Sequence, residues 1–291
     1  MNLLDVEDLG VSFPTRGGVF EAVRGVSFTL GQERLGIVGE SGSGKSLTGR
    51  AILKLIRPPG KLKASRITLE GDDLLAMTDR QMRSVRGQRI SMVMQDPKFS
   101  LNPVMRVGDQ IVEAYRQSSG GGRQERRQRA LAMLESVAIR DPERVFNAYP
   151  HEMSGGMGQR IMIAMMLIPD PRILIADEPT SALDVTVQMQ VLDIMDKLVR
   201  ERGMGLVFIS HDLNLVSSFC DRVLIMYAGR IVESCRADQL YEAKHPYTQG
   251  LLNSLPRLDA PRDRLAVLER DPAWREPLSE SGLVKDVNPD G

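Results

Sequence analysis

The sequence predicts an α/β fold: a core with a parallel β-sheet, an antiparallel β subdomain at the N-terminus and an inserted helical lobe. Short apolar runs alternate with helical patterns in the core, which is typical of parallel strands joined by crossover helices. The first thirty residues mix apolar and polar positions between turn glycines, as β-strands do. A stretch from about 100 to 168 is helical in pattern and interrupts the alternation.

Length and composition fit this prediction. A chain of 291 residues suits one large domain, or a domain with a lobe and a tail, and 42% hydrophobic residues suffice for a core. Lys and Arg together number 38, as do Asp and Glu, so bulk charge gives no indication of nucleic-acid binding. Two cysteines, Cys220 and Cys235, are too few for a disulfide framework or a metal knuckle, and we expect reduced thiols in a cytosolic setting.

The sequence predicts neither a signal peptide nor a transmembrane helix. The N-terminus, MNLLDVEDLG, has acidic residues where a signal peptide has basic ones. No run of about 18 apolar residues occurs, because the most apolar stretch is interrupted at Pro169, Asp170, Pro171 and Arg172. We expect that the chain reaches a membrane only through a partner.

The elements of the first hundred residues follow from local patterns. LLDVEDLGVSF and AVRGVSFTL predict strands near the N-terminus, and LGIVG predicts the next strand. A glycine-rich turn and the helical segment KSLTGRAILKLI come next, and PPG at 58–60 ends that helix. RISMVMQ, residues 89–95, predicts a further strand.

The second half begins with the helical lobe. VGDQIVEAYRQ, RRQRALAMLESVAI and the segment after Ser154 predict helices, and SSGGGRQERR between the first two predicts an exposed, flexible loop. RILIADE, GLVFIS and RVLIMYAGRIVES then predict strands, with the helix VQMQVLDIMDKLVRER between the first two. Residues after about 257 are polar and contain prolines, which predicts a weakly structured tail.

One motif predicts a phosphate-binding loop. GESGSGKS fits the pattern G-x-x-x-x-G-K-[ST] between an apolar strand and a helix, as a P-loop NTPase core requires. Its backbone N–H groups would surround phosphates, Lys45 would reach the β- and γ-phosphates, and Ser46 would bind Mg²⁺. The alternative is a loop that merely links strand to helix. The predicted nucleotide-binding residues are Gly39, Glu40, Ser41, Gly42, Ser43, Gly44, Lys45 and Ser46.

Four further residues, at the ends of three predicted strands, suggest catalytic roles. Asp177 and Glu178 end ILIADE, where Asp177 would hold Mg²⁺ and Glu178 would orient or deprotonate the attacking water. Gln95 ends SMVMQ and could contact Mg²⁺ or water, and His211 follows LVFIS and could contact the γ-phosphate. The alternatives are a turn at Glu178 before Pro179, a surface amide at Gln95 and a structural histidine at His211.

A second anion-binding turn stands in HEMSGGMGQR, residues 151–160. Ser154, Gly155 and Gly156 precede an apolar helix, whose first turn leaves backbone N–H groups available. The chain already has a phosphate loop far upstream. The residues alone therefore leave open which phosphate this turn serves.

In this order the motifs resemble the nucleotide-binding subunits of ABC transporters, over roughly residues 1 to 255. The resemblance implies an ABC ATP-binding domain over 1–257, a tail over 258–291, and two such domains that face head to tail. Ser154, Gly155 and Gly156 would then contact ATP held by the partner, and Asp184 of SALD would lie at the same interface, the alternative for Asp184 being a helix N-cap. Phe13 is the best match to the family's adenine-stacking aromatic residue, the alternative being a packed strand residue.

The turn departs from the family's L-S-G-G-Q. Met153 replaces Leu and Met157 replaces Gln, and the second change removes an amide from the motif. The methionines of the following helix are interpreted as packing in the lobe core: Met162, Met165 and Met166.

Longer segments resemble one branch of the family. QDPKFSLNPVMRVGDQIVE and KHPYTQGLLNSLPRLD are similar to the dipeptide, oligopeptide and nickel importers, and SGGM is similar to their D-type ATPase. The resemblance implies two transmembrane permease subunits, a second, F-type ATPase subunit and, indirectly, a periplasmic substrate-binding protein. It places the chain peripherally on the cytoplasmic face of the bacterial inner membrane.

The same resemblance bears on metals. Some D-type relatives carry a cysteine cluster near the C-terminus that holds an iron–sulfur centre. No cysteine follows Cys235 here, so we predict no such cluster. HPYT at 245–248 has one histidine without partners and does not predict a metal site.

The predicted function is that of an ATP-hydrolysing subunit, using ATP and Mg²⁺, which powers the import of short peptides. Nickel, opine or glycan import by the same architecture is the first alternative. A soluble ABC ATPase that acts on DNA or ribosomes is the second, but such proteins usually have two motif sets or a long coiled coil. Glu178 and His211 argue against a third alternative, a regulatory module that does not hydrolyse ATP.

Overall fold

The structure is a computed structural model that describes residues 2–94, 100–118, 121–181, 183–254, 271 and 274. The described strands are β1 (Leu4–Thr15), β2 (Gly18–Leu30), β3 (Arg34–Val38), β4 (Lys61–Lys63), β5 (Arg66–Leu69), β6 (Asp72–Asp73), β7 (Ile90–Val93), β8 (Ile173–Asp177), β9 (Gly205–Ser210), β10 (Arg222–Tyr227) and β11 (Arg230–Arg236). The described α-helices are α1 (Lys45–Ile52), α2 (Asp79–Met82), α3 (Val107–Ser118), α4 (Arg123–Ser136), α5 (Pro142–Asn147), α6 (Gly155–Leu167), α7 (Val185–Arg202), α8 (Leu213–Phe219) and α9 (Pro246–Asn253). Short 3₁₀ helices span Pro150–Glu152 and Ala237–Glu242.

The chain divides into two compact units. The first comprises Met1–Ala76 and Phe208–Gly291, and the second comprises Met77–Val207. The mixture of an antiparallel sheet with parallel strands and helices is the predicted α/β class. Among the described residues, every helix is too short or too polar to cross a bilayer.

The first unit contains the antiparallel sheet predicted at the N-terminus. Its strands lie in the order β2-β1-β5-β6, with β4 also paired to β1. β1 and β2 form a hairpin that pairs Leu4 with Leu30 and Phe13 with Phe20. Buried side chains alternate along β1 at Leu4 and Val6 and again at Leu9 and Val11, and a shift of register between Val6 and Leu9 keeps all four on one packed face.

The same unit contains parallel strands. β3 and β10 run parallel, with Gly36 opposite Val223, and β11 pairs antiparallel to β10. All residues of β10 are buried, as are the last four of β3, which is the burial expected of strands covered on both faces. The run RVLIMYAGRIVES, predicted as one strand, is a hairpin, because Ala228 and Gly229 adopt positive φ angles of 45° and 87° and turn the chain.

The second unit contains the helical segments of the lobe together with β7, β8 and α7. β7 and β8 run parallel, with Ile90 opposite Ile173, and every residue of both strands is buried. α7 begins at the N-cap Asp184 and ends at Gly203, whose φ of 59° is the left-handed conformation common after helices.

Two predictions in the lobe were wrong. RQERR, predicted as part of a flexible loop, belongs to α4, because its straight-chain residues are good helix formers and Glu125 lies in the favourable first turn. The sequence analysis also missed α5, although Asp141 caps it and Pro142 occupies its first turn. The tail predicted after residue 257 lies outside the described residues, apart from Asp271 and Trp274.

Candidate functional site

The predicted phosphate loop joins β3 to α1 in the first unit. Gly39 and Gly44 have positive φ angles of 152° and 104°. A Cβ on Gly39 would lie 2.1 Å from the carbonyl oxygen of Met226, and one on Gly44 would lie 2.7 Å from the carbonyl oxygen of Ala22. Backbone conformation and close packing therefore both require glycine at these positions. The packed neighbours belong to β10 and β2, which fix the loop from two directions.

Lys45 is the first residue of α1 and is only 5% exposed. Its ammonium donates hydrogen bonds to the carbonyl oxygens of Gly39 and Glu40, at N···O distances of 2.7 and 2.9 Å. The N-cap is Gly44, which has no side chain to accept from the first-turn N–H groups of the helix. The helix dipole and these N–H groups favour an anion at this end, next to a buried cation.

The rest of the loop differs in exposure. Ser43 is buried and its N–H donates to the Glu40 carbonyl oxygen at 3.1 Å, which closes a tight turn. Ser41 and Gly42 are exposed, and the side chain of Ser46 is partly exposed. The loop thus has a rigid base and an accessible rim.

Phe13 and His211, two other predicted site residues, also belong to the first unit. Phe13 is partly buried, and a Cβ on Gly60 would lie 2.6 Å from its ring, so that ring packs closely against the backbone. Phe20, its partner across the hairpin, is 58% exposed. His211 is exposed directly after β9, and the next residue, Asp212, caps α8 by accepting from the Leu215 N–H at 3.1 Å.

Asp177 and Glu178 lie at the carboxyl end of β8 in the second unit. Asp177 is 3% exposed, and Glu178 is partly buried with a φ of 48°. A non-glycine residue in this left-handed region is held there by its surroundings at some cost in free energy. The carbonyl oxygen of Glu178 accepts from the N–H and the hydroxyl of Ser181, both at 3.3 Å. The turn predicted as an alternative for Glu178 is therefore present, together with its carboxylate.

The Ser154–Gly156 turn opens α6, also in the second unit. Ser154 is the N-cap, and its hydroxyl oxygen accepts from the Met157 N–H at 3.4 Å. Ser154 and Gly155 are exposed, and a Cβ on Gly155 would meet no atom within 4 Å. A Cβ on Gly156 would instead lie 2.5 Å from Cγ1 of Val187 in α7. The two glycines therefore differ: Gly155 leaves open space and Gly156 permits close packing of two helices.

The packing of Gly156 connects this turn to SALD. Val187, the residue that Gly156 contacts, donates its backbone N–H to the Asp184 carboxylate at 3.0 Å. Asp184 is thus the N-cap of α7, as the alternative interpretation of this residue had it. The cap and the close contact hold the start of α6 next to the start of α7.

A cavity of about 340 Å³ lies beside the helices of the second unit. Residues that line it include Gln88, Asn102, Met105, Gln110, Met165 and Met166. Gln110 is 6% exposed and fixes one wall, because its amide bonds to the backbone of Asn102 and Met105 at 2.8 to 3.0 Å. The sequence analysis did not predict this cavity. It placed Met165 and Met166 in the lobe core, which was wrong: both are partly exposed and only Met162 is fully buried.

The surroundings of both thiols favour the protonated form. Burial raises the pKa of the Cys220 thiol well above its ordinary value, and burial with the nearby carboxylate of Glu233 raises the pKa of Cys235 to about 11. Both groups are therefore protonated at neutral pH. Across the part of the chain that the structure describes, His, Cys, Asp and Glu side chains form no group of three that could hold a metal ion.

The structure therefore distributes the predicted residues as follows. The first unit carries the phosphate loop, Phe13 and His211, and the second carries Asp177, Glu178 and the Ser154–Gly156 turn. Gln95 lies outside the described residues. The sequence analysis missed Tyr247, whose hydroxyl oxygen accepts from the Glu40 N–H at 3.2 Å. HPYT was the available signal, but it was used only for the family resemblance and as a rejected metal site.

Comparison with known proteins identifies two family matches. The family described as ABC transporter matches residues 23–181, and the family described as Oligopeptide/dipeptide transporter, C-terminal region, matches residues 232–281. The oligopeptide transport ATP-binding protein OppD of Bacillus subtilis is 50% identical over 89% of this chain and 73% of its own length. The dipeptide transport ATP-binding protein DppD of Haemophilus influenzae is 46% identical over 92% of this chain and 82% of its own length.

Solved structures agree with the sequence matches. A dimeric structure of MJ0796, described as a bacterial ABC transporter cassette, matches with a TM-score of 0.72 and 26% identity over 80% of this chain and 98% of that one. A dimeric structure of a post-hydrolysis state of the same cassette, bound to ADP and Pi, matches with the same values.

Proposed function

This chain belongs to the ABC transporter family, in the branch of oligopeptide and dipeptide transport ATP-binding proteins, and we propose that it is the ATP-hydrolysing subunit of a peptide importer. It is a transport ATPase whose hydrolysis powers peptide uptake. The observation that carries the proposal is the phosphate loop, where a buried ammonium and the open end of α1 meet in a glycine-rich turn. Peptides are favoured over nickel, opines and glycans as the transported cargo, because the two relatives described above are named for oligopeptide and dipeptide transport.

The predicted site residues contribute separate functions to ATP binding and hydrolysis. The loop Gly39–Ser46 binds the phosphates through its N–H groups, and the ammonium of Lys45 reaches the β- and γ-phosphate oxygens. Glu178 orients the attacking water and accepts its proton, with Gln95 and His211 as further contacts to the reacting groups. The ring of Phe13 supports the adenine, and Phe20 is the exposed alternative on the same hairpin.

Mg²⁺ fits the donors that the chain offers. Ser46 supplies a hydroxyl and Asp177 a buried carboxylate, and Mg²⁺ in nucleotide sites takes one or two protein oxygens while phosphates and water fill the remaining positions. When bound, the ion neutralises charge on the phosphates. The oxygen set Ser46, Gln95 and Asp177 is suited to Mg²⁺.

A second ABC ATP-binding subunit is the proposed partner for the Ser154–Gly156 turn. Ser154 and Gly155 are exposed, and the space at Gly155 is open, as a surface that receives another chain's phosphate requires. The label F-type was wrong for this subunit, because the family match is to ABC transporters. This turn has Met157 where the family's usual motif has Gln. Because of this difference from the usual motif, we propose that the partner is a different chain and not a second copy.

Two permease subunits are the proposed membrane partners, with a periplasmic substrate-binding protein upstream of them. The cavity lined by Met105, Met165 and Met166 offers flexible apolar side chains beside fixed amides, which suits a short helix of a permease. Docking of this kind places the chain peripherally on the cytoplasmic face of the bacterial inner membrane. Balanced charge, with 38 basic and 38 acidic residues, gives no support to nucleic-acid binding.

Glu178→Gln tests the proposed function in the complex assembled with its permeases and second ATPase. Loss of the general base is expected to lower peptide-stimulated ATP turnover by about 100- to 10,000-fold. The binding of a fluorescent ATP analogue should remain within about twofold, since Gln keeps the size of the side chain. Asp193→Asn, an acidic-to-amide change inside α7, is the matched control. Turnover of the Glu178 variant equal to that of this control would remove Glu178 as the base.

A further inference from the structure

The C-terminal HPYT segment, His245–Thr248, contacts the phosphate loop. We propose that Tyr247 is a positioning residue for ATP binding, through which the C-terminal region sets the conformation of that loop. The proposal rests on the proposed ATP site and adds to it a residue more than 200 positions away in the sequence. Tyr247 lies in the part of the chain that matches the C-terminal family region, residues 232–281.

One peptide unit connects Tyr247 with Lys45. The Glu40 N–H donates to the Tyr247 hydroxyl oxygen at an N···O distance of 3.2 Å. The carbonyl of the same peptide belongs to Gly39 and accepts from the Lys45 ammonium at 2.7 Å. A trans peptide is planar and points its N–H and C=O in opposite directions, so a rotation of this unit would break both bonds together. Tyr247 thereby fixes the carbonyl against which Lys45 is placed.

Tyr247 itself is held firmly. It is fully buried, with 0% exposure, and its ring centroid lies 4.5 Å from that of Tyr227 and 6.0 Å from that of Trp274. A ring surrounded in this way has few rotamers available, so its hydroxyl is a fixed acceptor and not a chance contact.

The backbone before Tyr247 is fixed as well. The His245 Nδ1 accepts from the Tyr247 N–H at 3.1 Å and so caps α9. Burial lowers the pKa of His245, which keeps the imidazole neutral and its nitrogen available as an acceptor. The Glu233 carboxylate of β11 accepts from the N–H groups of Lys244 and His245 at 2.6 and 3.2 Å. The strand, the cap and the aromatic rings together define where the hydroxyl lies.

The expected effect is on ATP affinity. A loop that is already ordered loses less conformational entropy when it binds a phosphate, so removal of its support weakens binding without changing the chemical step. The bond from Tyr247 to the loop is made at the backbone of Glu40, which is not a predicted catalytic residue. The measurement that distinguishes positioning from general damage is therefore the split between KM for ATP and kcat.

Tyr247→Phe removes one oxygen and keeps the buried ring. We expect KM for ATP in the assembled complex, and Kd for a fluorescent ATP analogue on the full chain, to rise about three- to tenfold, the loss of one typical hydrogen bond. kcat should stay within about twofold. Trp274→Leu, which leaves the hydroxyl and removes a ring beside it, should raise KM in the same direction but less.

The matched control is Tyr241→Phe. It removes a hydroxyl that donates to Asn214 Oδ1 at 2.8 Å in the same unit, on a side chain that is 55% exposed. KM should not change in this variant. An unchanged KM in Tyr247→Phe would overturn the proposal, as would an equal rise in the Tyr241 control or a fall in kcat alone.

Lys45→Ala separates this inference from the proposed function. If the Lys45→Ala variant still binds ATP, the proposed ATP site is refuted, and the inference about Tyr247 is refuted as well. If Lys45→Ala abolishes binding while Tyr247→Phe leaves KM unchanged, only the role of Tyr247 is refuted.

Discussion

The phosphate loop and the Ser154–Gly156 turn are both glycine-containing helix starts, yet their surroundings are opposite. The loop is crowded: a Cβ on Gly39 would lie 2.1 Å from a carbonyl oxygen, and a buried Lys45 bonds back to the loop itself. The turn is open at Gly155, and Ser154 caps its own helix. A crowded loop can bind a ligand with its own groups alone. An open turn leaves its backbone accessible to another molecule.

The phosphate loop and the Ser154–Gly156 turn also differ in charge. The loop carries an ammonium next to the start of α1, and the charge-assisted bonds of Lys45 belong to the strong class. The turn offers a neutral hydroxyl and backbone N–H groups. We therefore expect the loop to determine ATP affinity in the isolated chain and the turn to matter only after assembly.

Lys45→Ala against Ser154→Ala is the comparison with the largest expected effect. Loss of the lysine removes about two charge-assisted bonds to phosphate, so ATP affinity of the isolated chain should fall about 100- to 1,000-fold. Ser154→Ala should leave that affinity within about twofold but lower ATP turnover of the assembled complex by about tenfold. Titration of a fluorescent ATP analogue and steady-state turnover measure the two. Equal losses of ATP affinity in the isolated Lys45→Ala and Ser154→Ala variants would show that the loop and the turn do not differ in this way.

The sequence predicted the loop well because its signal is local. Eight consecutive residues between an apolar strand and a helix define its conformation, and the structure has that strand and a helix that begins at Lys45. The helix ends at Ile52, so the prediction that PPG at 58–60 ends it was wrong. The class of fold follows for the same reason, since strands and helices alternate in runs that short-range patterns describe. β4 and β6 were not predicted, because they are two to three residues long and polar.

Contacts between distant residues could not be predicted. Tyr247 reaches Glu40 across 207 positions, and Val187 reaches Gly156 from another helix. No local period or motif spacing encodes such a pair. The misassigned RQERR shows a second limit: polar composition is shared by an exposed helix and an exposed loop, and helix propensity decides between them only weakly.

Gly39→Ala against Gly155→Ala tests the packing side of the comparison. A methyl at Gly39 meets the Met226 carbonyl oxygen and a disfavoured φ, so the free energy of unfolding should fall by about 2 kcal/mol. A methyl at Gly155 enters open space and should change it by less than about 0.5 kcal/mol. Denaturant unfolding of both variants measures this. Comparable destabilisation of the two would show that the turn is as crowded as the loop.

Gly156→Ala tests how far the open part of the turn extends, with an expected effect smaller than that of Gly39→Ala. The new methyl would lie 2.5 Å from Cγ1 of Val187, a β-branched side chain that cannot rotate away easily and whose N–H is bound to Asp184. The free energy of unfolding should fall by about 1 kcal/mol, and Val187→Ala in the same chain should recover most of that loss.

Denaturant unfolding of the two single variants and the double variant gives the coupling energy. A value near about 1 kcal/mol would mean that Gly156 is present for helix packing, so that only Ser154 and Gly155 remain free for a partner's phosphate. Additive effects within about 0.3 kcal/mol would instead show that the two helices adjust independently. Gly156 would then belong, with Gly155, to the open part of the turn.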